Sequence, residues 1–388
     1  MNTKTFVACC ALTACAATAQ AADVQVYGVI DTSLVFEAVD QDAGDGRVNS
    51  TYMSSGEEWG SRWGIRGSED LGNGVTVGFD LQSGIKSDTG EMQYKRLFAR
   101  ESSLYVKGAF GKLAMGRMDG LIGLRGQTGK LKMLSAFGDG YGPYMPSLNN
   151  IMSEPSYIDN SVFYESPTVA GFTFRAHYGM GGVSFSQEAH NLFSATENKS
   201  SSDRYAAASL TYANGPLNLF IGADRIFYNE SYDWKKTIKG QTEPYLYHHT
   251  DDSLTVTAGG NYDFGAFRLY AMAQYFDEVD GGSIRKFVGA PYALKGYGAS
   301  ISADIPAAGG NIIAAVSYLD GEAADSDLRN KGTDVQRIIA GVGYQYPFTK
   351  RTSAYGIVSG GRDKIENADN SATRPNYYKA VIGLRHVF

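Results

Sequence analysis

Asn376-Tyr377-Tyr378-Lys379-Ala380-Val381-Ile382-Gly383-Leu384-Arg385-His386-Val387-Phe388 ends the chain, and its reading decides the fold. Ala380, Ile382, Leu384 and Phe388 make the even positions mostly apolar, with His386 among them. Lys379, Gly383 and Arg385 fall on the odd ones, where Val381 and Val387 break the rule. Such alternation places successive side chains on opposite faces of a strand. One reading is an amphipathic edge strand of an ordinary domain. The other is a strand with one face in lipid and one in water, closing a barrel against the first strand, which gives a terminal Phe a reason.

The length of 388 residues allows two or three domains or one large barrel. Outside the first twenty residues no run approaches the roughly 18 apolar residues a spanning helix needs, and 43% hydrophobic content excludes a helical membrane protein. Gly 47 and Tyr 26 against Pro 10 suit strands, tight turns and aromatic girdles. Residues 1–21 read as a secretory signal: Lys4, an apolar stretch, then Ala19-Gln20-Ala21 for cleavage. The alternative is a lipoprotein site, Leu12-Thr13-Ala14-Cys15, lipidated on Cys15. With cleavage after Ala21, all three cysteines (Cys9, Cys10, Cys15) leave with the signal, so residues 22–388 form one barrel domain without disulfides. Removing Lys4 takes the net charge from -6 to -7, which is no nucleic-acid profile.

Paired alternating segments recur along the chain. Residues 61–69 and 75–85 flank Asp70-Leu71-Gly72-Asn73-Gly74; residues 97–107 and 112–117 flank Gly108-Ala109-Phe110-Gly111. Further pairs follow at 162–166 with 172–178, 205–212 with 217–227, and 254–262 with 267–276. The last are 297–305 with 312–319 and 335–346 with 353–360. With the segment at 24–34 and the terminal one, sixteen strands are predicted. Short turns interleave with long loops, the pattern of an outer-membrane barrel. A β-helix would show one fixed repeat, and a sandwich would use both loop ends evenly. Open edges in hydrocarbon would leave backbone groups unsatisfied at several kcal/mol each, so the sheet must close. At this strand number the lumen is too wide for side chains to fill and should hold water.

The longest interruption, residues 118–158, lacks alternation and carries apolar points at Met133, Leu134, Phe137, Tyr141 and Met145. A loop of this length is normally functional or disordered. Folded into the barrel, it would bury those residues and narrow the pore; the alternative is a surface loop.

Several stretches resemble the trimeric general porins of Gram-negative bacteria, most closely the neisserial and Burkholderia type. They are Val26-Tyr27-Gly28, Ser61-Arg62-Trp63-Gly64, Gly67-Ser68-Glu69-Asp70-Leu71-Gly72, Phe110-Gly111 through Met115-Gly116-Arg117, Asn160-Ser161-Val162, Lys350-Arg351-Thr352 and the terminal Gly383-Leu384-Arg385-His386 with Phe388. The resemblance implies an all-β, transmembrane 16-stranded antiparallel β-barrel with an inward-folded third long loop, assembled as a homotrimer in the outer membrane. It implies partners in outer-membrane lipid and lipopolysaccharide, in the barrel assembly machinery that reads Phe388, and in small hydrophilic solutes diffusing without any cofactor. It also implies a constriction where wall arginines face loop carboxylates: Arg62, Arg100 and Arg117, with Arg66 sharing the parity of Arg62, and Asp119, Lys130, Lys132 and Asp139 from the loop. Enteric porins carry D-M-L-P-E-F-G-G-D where this chain has Lys132-Met133-Leu134-Ser135-Ala136-Phe137-Gly138-Asp139. Two carboxylates are thus replaced by Lys132 and Ala136, and the arginine expected before Asn160-Ser161-Val162 by Tyr157 or Ile158. Charge at a constriction sets selectivity, so a weak anion preference is expected.

Catalysis finds little support. The five histidines form no zinc or Ser/His/acid spacing, and His177 is expected to face water in the lumen. Gly126-Gln127-Thr128-Gly129-Lys130 lacks phosphate-loop spacing. Asp40, Asp42 and Asp45 read as a solvated acidic loop more readily than as a calcium site. The competing functions are an adhesin or structural barrel without an open pore, and an outer-membrane hydrolase.

Overall fold

The computed structural model describes residues 23–40, 46–93, 96–138, 140–155, 157–181, 203–228, 233–238, 241–246, 251–280, 284, 293–327 and 330–388. Sixteen antiparallel strands among them form one closed sheet. The first eight are β1 (Asp23–Asp40), β2 (Arg62–Asp70), β3 (Thr76–Gly84), β4 (Glu101–Gly108), β5 (Gly111–Met118), β6 (Ile158–Glu165), β7 (Phe172–Gly179) and β8 (Arg204–Asn214). Then come β9 (Leu217–Phe227), β10 (Ser253–Asp263), β11 (Arg268–Asp280), β12 (Ala293–Ala307), β13 (Gly310–Ala323), β14 (Asp334–Pro347), β15 (Thr352–Glu366) and β16 (Asn376–Val387). Each pairs with its neighbours in sequence, and β16 returns to β1 from Val29 opposite Val387 up to Asp40 opposite Asn376. Phe388 completes the seam by exchanging both backbone hydrogen bonds with Gly28, each at 3.0 Å. Closure gives each of the sixteen strands a partner on both sides, as a sheet in hydrocarbon requires.

The alternation sorts the side chains as a barrel wall demands. Val24, Val26, Leu34, Phe36, Val342, Val358, Ile382 and Leu384 are exposed on one face. An aqueous surface would not tolerate so broad an apolar band, whereas lipid covers it. The other face carries Asp31, Ser33, Thr257, Gln274, Ser302, Ser317 and Ser359, all buried.

Two departures from the sequence pattern have local causes. β1 runs to Asp40 instead of ending near residue 34, because its upper half gains a second partner, the strand Arg47–Ser55. That strand reads as polar loop in sequence because residues 47–53 are exposed. Val381 is the other: it turns to the polar face and packs in an apolar cluster with Tyr141, Met145, Ile357 and Tyr355.

The insert between β5 and β6 supplies Tyr141 and Met145, and its only regular pieces among the described residues are the 3-10 turns Leu131–Leu134 and Leu148–Asn150. Along its length it bonds to side chains on the polar strand face. Asn261 donates to the Met133 carbonyl at 2.9 Å, and Ser302 Oγ accepts from Ala136 N at 3.0 Å. Ser359 and Ser317 donate to the carbonyls of Tyr144 and Pro146 at 2.6 and 3.0 Å. Gln274 takes both backbone groups of Ser153, at 2.7 and 2.9 Å. These bonds give buried backbone groups of an irregular segment the partners they need. Leu121, Ile122, Leu131, Leu148 and Ile151 meanwhile join Phe163, Phe220 and Phe276 in a second apolar cluster.

Candidate pore constriction

The site begins with a short turn that sequence reading leaves unremarked. Before entering β2 the chain turns at Gly56, whose φ of 76° suits glycine, and runs through Glu57, Glu58, Trp59 and Gly60. Asp31 on β1 holds it there. Its Oδ2 accepts the N–H groups of Glu58 and Trp59 at 3.0 and 2.7 Å, its backbone exchanges bonds with Ser61 Oγ, and Tyr355 donates to Oδ1 at 2.7 Å.

Two of the four expected wall arginines, Arg62 and Arg100, border this turn, and a third, Arg117, follows beyond them. Arg62 donates to the Gly60 carbonyl at 2.8 Å, and its guanidinium carbon lies 5.6 Å from the Trp59 ring centroid. Arg385, from the terminal strand, approaches the same ring at 4.3 Å. Arg100 borders Gly60, where an added Cβ would come within 3.2 Å of its NH1, and its Nε donates to Gln82 at 2.9 Å. Tyr157 then separates Arg100 from Arg117, with ring distances of 5.7 and 5.3 Å. The order Arg385, Trp59, Arg62, Arg100, Tyr157, Arg117 is a line of guanidinium groups interleaved with two aromatic rings. Each ring face attracts a neighbouring cation by about 0.5–2 kcal/mol, which offsets part of the mutual repulsion. Arg100 stands just ahead of β4, so strand parity does not govern its direction.

Carboxylates sit at both ends of the line. Asp159 takes Arg117 at 2.6 Å and Arg96 at 3.0 Å; Glu58 takes Arg385 at 2.7 Å. Glu58 Oε1 also accepts from Gln345, which bonds the Tyr141 hydroxyl at 2.6 Å and so ties the turn to the insert. Lys379, fully buried, holds the Tyr141 carbonyl at 2.8 Å, Glu57 at 3.0 Å and Glu37 at 3.3 Å. Burial pushes the Glu58 carboxyl up to about 7, with Arg385 opposing and Asp31 adding to the rise.

The other expected residues lie elsewhere. Arg66 is exposed further down β2, 4.8 Å over the Tyr27 ring and bonded to Gln25. Asp119 is fully buried and accepts from Arg125 N at 2.7 Å, and burial next to Glu154 holds its carboxyl well above the usual range. It closes the base of the insert with the Arg125–Glu154 pair at 3.0 Å. Lys130 is half-buried, donates to the Gln127 carbonyl at 2.9 Å, and has its pKa drawn down by burial. Lys132 is exposed. Asp139, Asp42, Asp45, His248 and His249 fall outside the described residues. His177 does not face water as expected: it is buried between the rings of Phe163 and Tyr205, and the Tyr205 hydroxyl accepts the N–H of Leu121 from the insert. Sequence reading missed Glu58, Trp59, Lys379 and Arg385. The last two were legible as the charged odd positions of the terminal strand; the other two lie where no periodicity operates.

Residues 7–365 match the family model for Gram-negative porins. An outer membrane porin protein of Bordetella pertussis is 29% identical over 416 residues, covering 99% of this chain and 100% of that protein. Major outer membrane protein P.IB of Neisseria meningitidis serogroup B is 26% identical over 373 residues, with 95% of each covered. Among solved structures, the anion-selective porin from Comamonas acidovorans shares the fold with a TM-score of 0.63 at 22% identity, covering 95% of this chain and all of that one. The in-vitro folded OmpT of Vibrio cholerae, in its trimer form, gives 0.61 at 17% identity, with 95% and 100% covered.

Proposed function

This chain belongs to the Gram-negative porin family; it is an outer-membrane β-barrel channel, and we propose that it passes small hydrophilic solutes passively with a preference for anions. The observation carrying the preference is the line of Arg62, Arg100, Arg117 and Arg385 on one wall. The insert crosses the lumen and narrows it, a reading supported by its bonds to the polar strand face. Lys132 and Ala136 stand where enteric relatives carry carboxylates, so little negative charge faces the wall from that segment. The net charge of -7 left once Lys4 is removed draws cations to the mouth, but at physiological salt that field decays within about 8 Å. The narrow, less screened constriction therefore dominates.

On this reading residues 1–21 are removed on export and 22–388 form the barrel. Three copies assemble, as the trimer form of the Vibrio cholerae protein illustrates for this fold, and lipopolysaccharide and outer-membrane lipid surround them. The channel needs neither a cofactor nor catalysis. Planar-bilayer recording tests it: ohmic steps appearing in threes support the channel, and protein that inserts without ever conducting refutes it.

A further inference from the structure

Trp59 stands out within its turn. Glu57, Glu58 and Ser61 are all buried, yet Trp59 keeps 44% of its surface open. That surface is on the polar side of the wall. Its contacts are Asp31, Arg62 and Arg385, whereas Ile30 and Leu384, the neighbours of Asp31 and Arg385 in sequence, are exposed on the lipid side. A large apolar ring left open to water is unfavourable by the area it exposes. Nothing about lining a pore for small inorganic ions requires it.

The ring is nonetheless held firmly. Its backbone N–H is tied to Asp31 at 2.7 Å, and guanidinium groups lie 4.3 and 5.6 Å from its centroid. An indole held against two cations, with part of its surface still open, offers a solute two kinds of contact at once. An aromatic ring can meet the open part of the indole edge-on, and a carboxylate on that ring can take charge-assisted hydrogen bonds from an arginine. A chloride ion or an aliphatic carboxylate can use only the second.

We propose that Trp59, with Arg62 and Arg385 beside it, is a subsite for planar aromatic carboxylates within the channel. The inference rests on the channel reading above and deepens it by naming a solute class.

Three monovalent probes test it in planar bilayers: benzoate, cyclohexanecarboxylate with a saturated ring of similar size, and acetate. Benzoate is expected to reduce the chloride current at a roughly three- to tenfold lower concentration than cyclohexanecarboxylate, a ratio matching one aromatic contact. Trp59→Ala should bring the two half-blocking concentrations together, while Trp59→Phe should keep most of the difference. Equal block by benzoate and cyclohexanecarboxylate in the unaltered protein overturns the proposal without need of any variant. So does discrimination that survives Trp59→Ala. Chloride current without aromatic discrimination removes this inference alone; no current at all removes the channel reading with it.

Discussion

Arg385 and Asp31 are direct partners across the seam that closes the barrel, yet the Arg385 guanidinium pairs with Glu58, 2.7 Å away on the inward turn. Asp31 instead spends its carboxylate on the turn's backbone and on Tyr355. Arg385 is thereby capped by a group that releases it on protonation.

The pH dependence follows from the Glu58 carboxyl, which titrates near 7 in the fold against 4.5 for an unperturbed glutamate. Between those values the folded protein holds the extra proton, so this group's stabilising contribution is full below about 4.5 and is lost as pH rises through 7. The whole shift corresponds to about 3 kcal/mol. As pH falls through 7, neutral Glu58 leaves one more positive charge on the wall, and anion selectivity should increase. Reversal potentials at pH values spanning neutrality measure this. Glu58→Gln should abolish the Glu58 step and resemble the acidic form throughout.

Arg337 and Asp363 form the most deeply buried ion pair among the described residues, 1% and 2% exposed, with two parallel bonds of 2.7 and 2.6 Å. Arg337 also holds the Asn150 carbonyl of the insert, and Tyr377 donates to Asp363. Removing one partner strands a buried charge, so Arg337→Met should lose about 3–5 kcal/mol in reversible unfolding from detergent. Adding Asp363→Leu should recover much of that loss. A single variant within 1 kcal/mol of the parent would show that water reaches the pair.

Gly298 on β12 lies directly beneath the insert: a Cβ there would overlap the Ile151 carbonyl oxygen. Backbone offers no rotamer to escape into, so Gly298→Ala should lift the segment around the turn Leu148–Asn150 off the wall. Larger or noisier single-channel conductance is expected, with the barrel still resisting protease. Unchanged conductance would mean that the insert does not set the pore width.

Phe388 exchanges two backbone bonds with Gly28, and its ring occupies the space a side chain at position 28 would need. Deleting Phe388 should lower the amount of assembled barrel far more than the conductance of channels that do form. Heat-modifiable gel mobility in outer-membrane fractions measures the first, bilayer recording the second. Normal assembly of the truncated chain would reduce Phe388 to a girdle aromatic.

The wall was legible in the sequence because lipid on one face and water on the other impose a period of two, and Val342, Val358, Ile382 and Leu384 obey it. Arg62, Arg100 and Arg117 were singled out by matching the family pattern, and Arg66 by the period it shares with Arg62. The insert and the inward turn obey no period: their positions come from Ser302, Ser317, Gln274 and Asp31, far away in sequence. Even Val381 breaks the pattern only because Tyr141 and Met145 arrive to cover it. His177 was misread for a related reason, since residues expected to meet water on the inner face meet Phe163 and Tyr205 there.

The arginine line should outweigh the acidic exterior in setting which ion passes. The zero-current potential across a bilayer holding the protein, in a tenfold KCl gradient at neutral pH, addresses it directly. The expected sign is that for chloride over potassium, diminished when Arg62 and Arg117 are both changed to Gln. A potential of the opposite sign in the unaltered protein would contradict it.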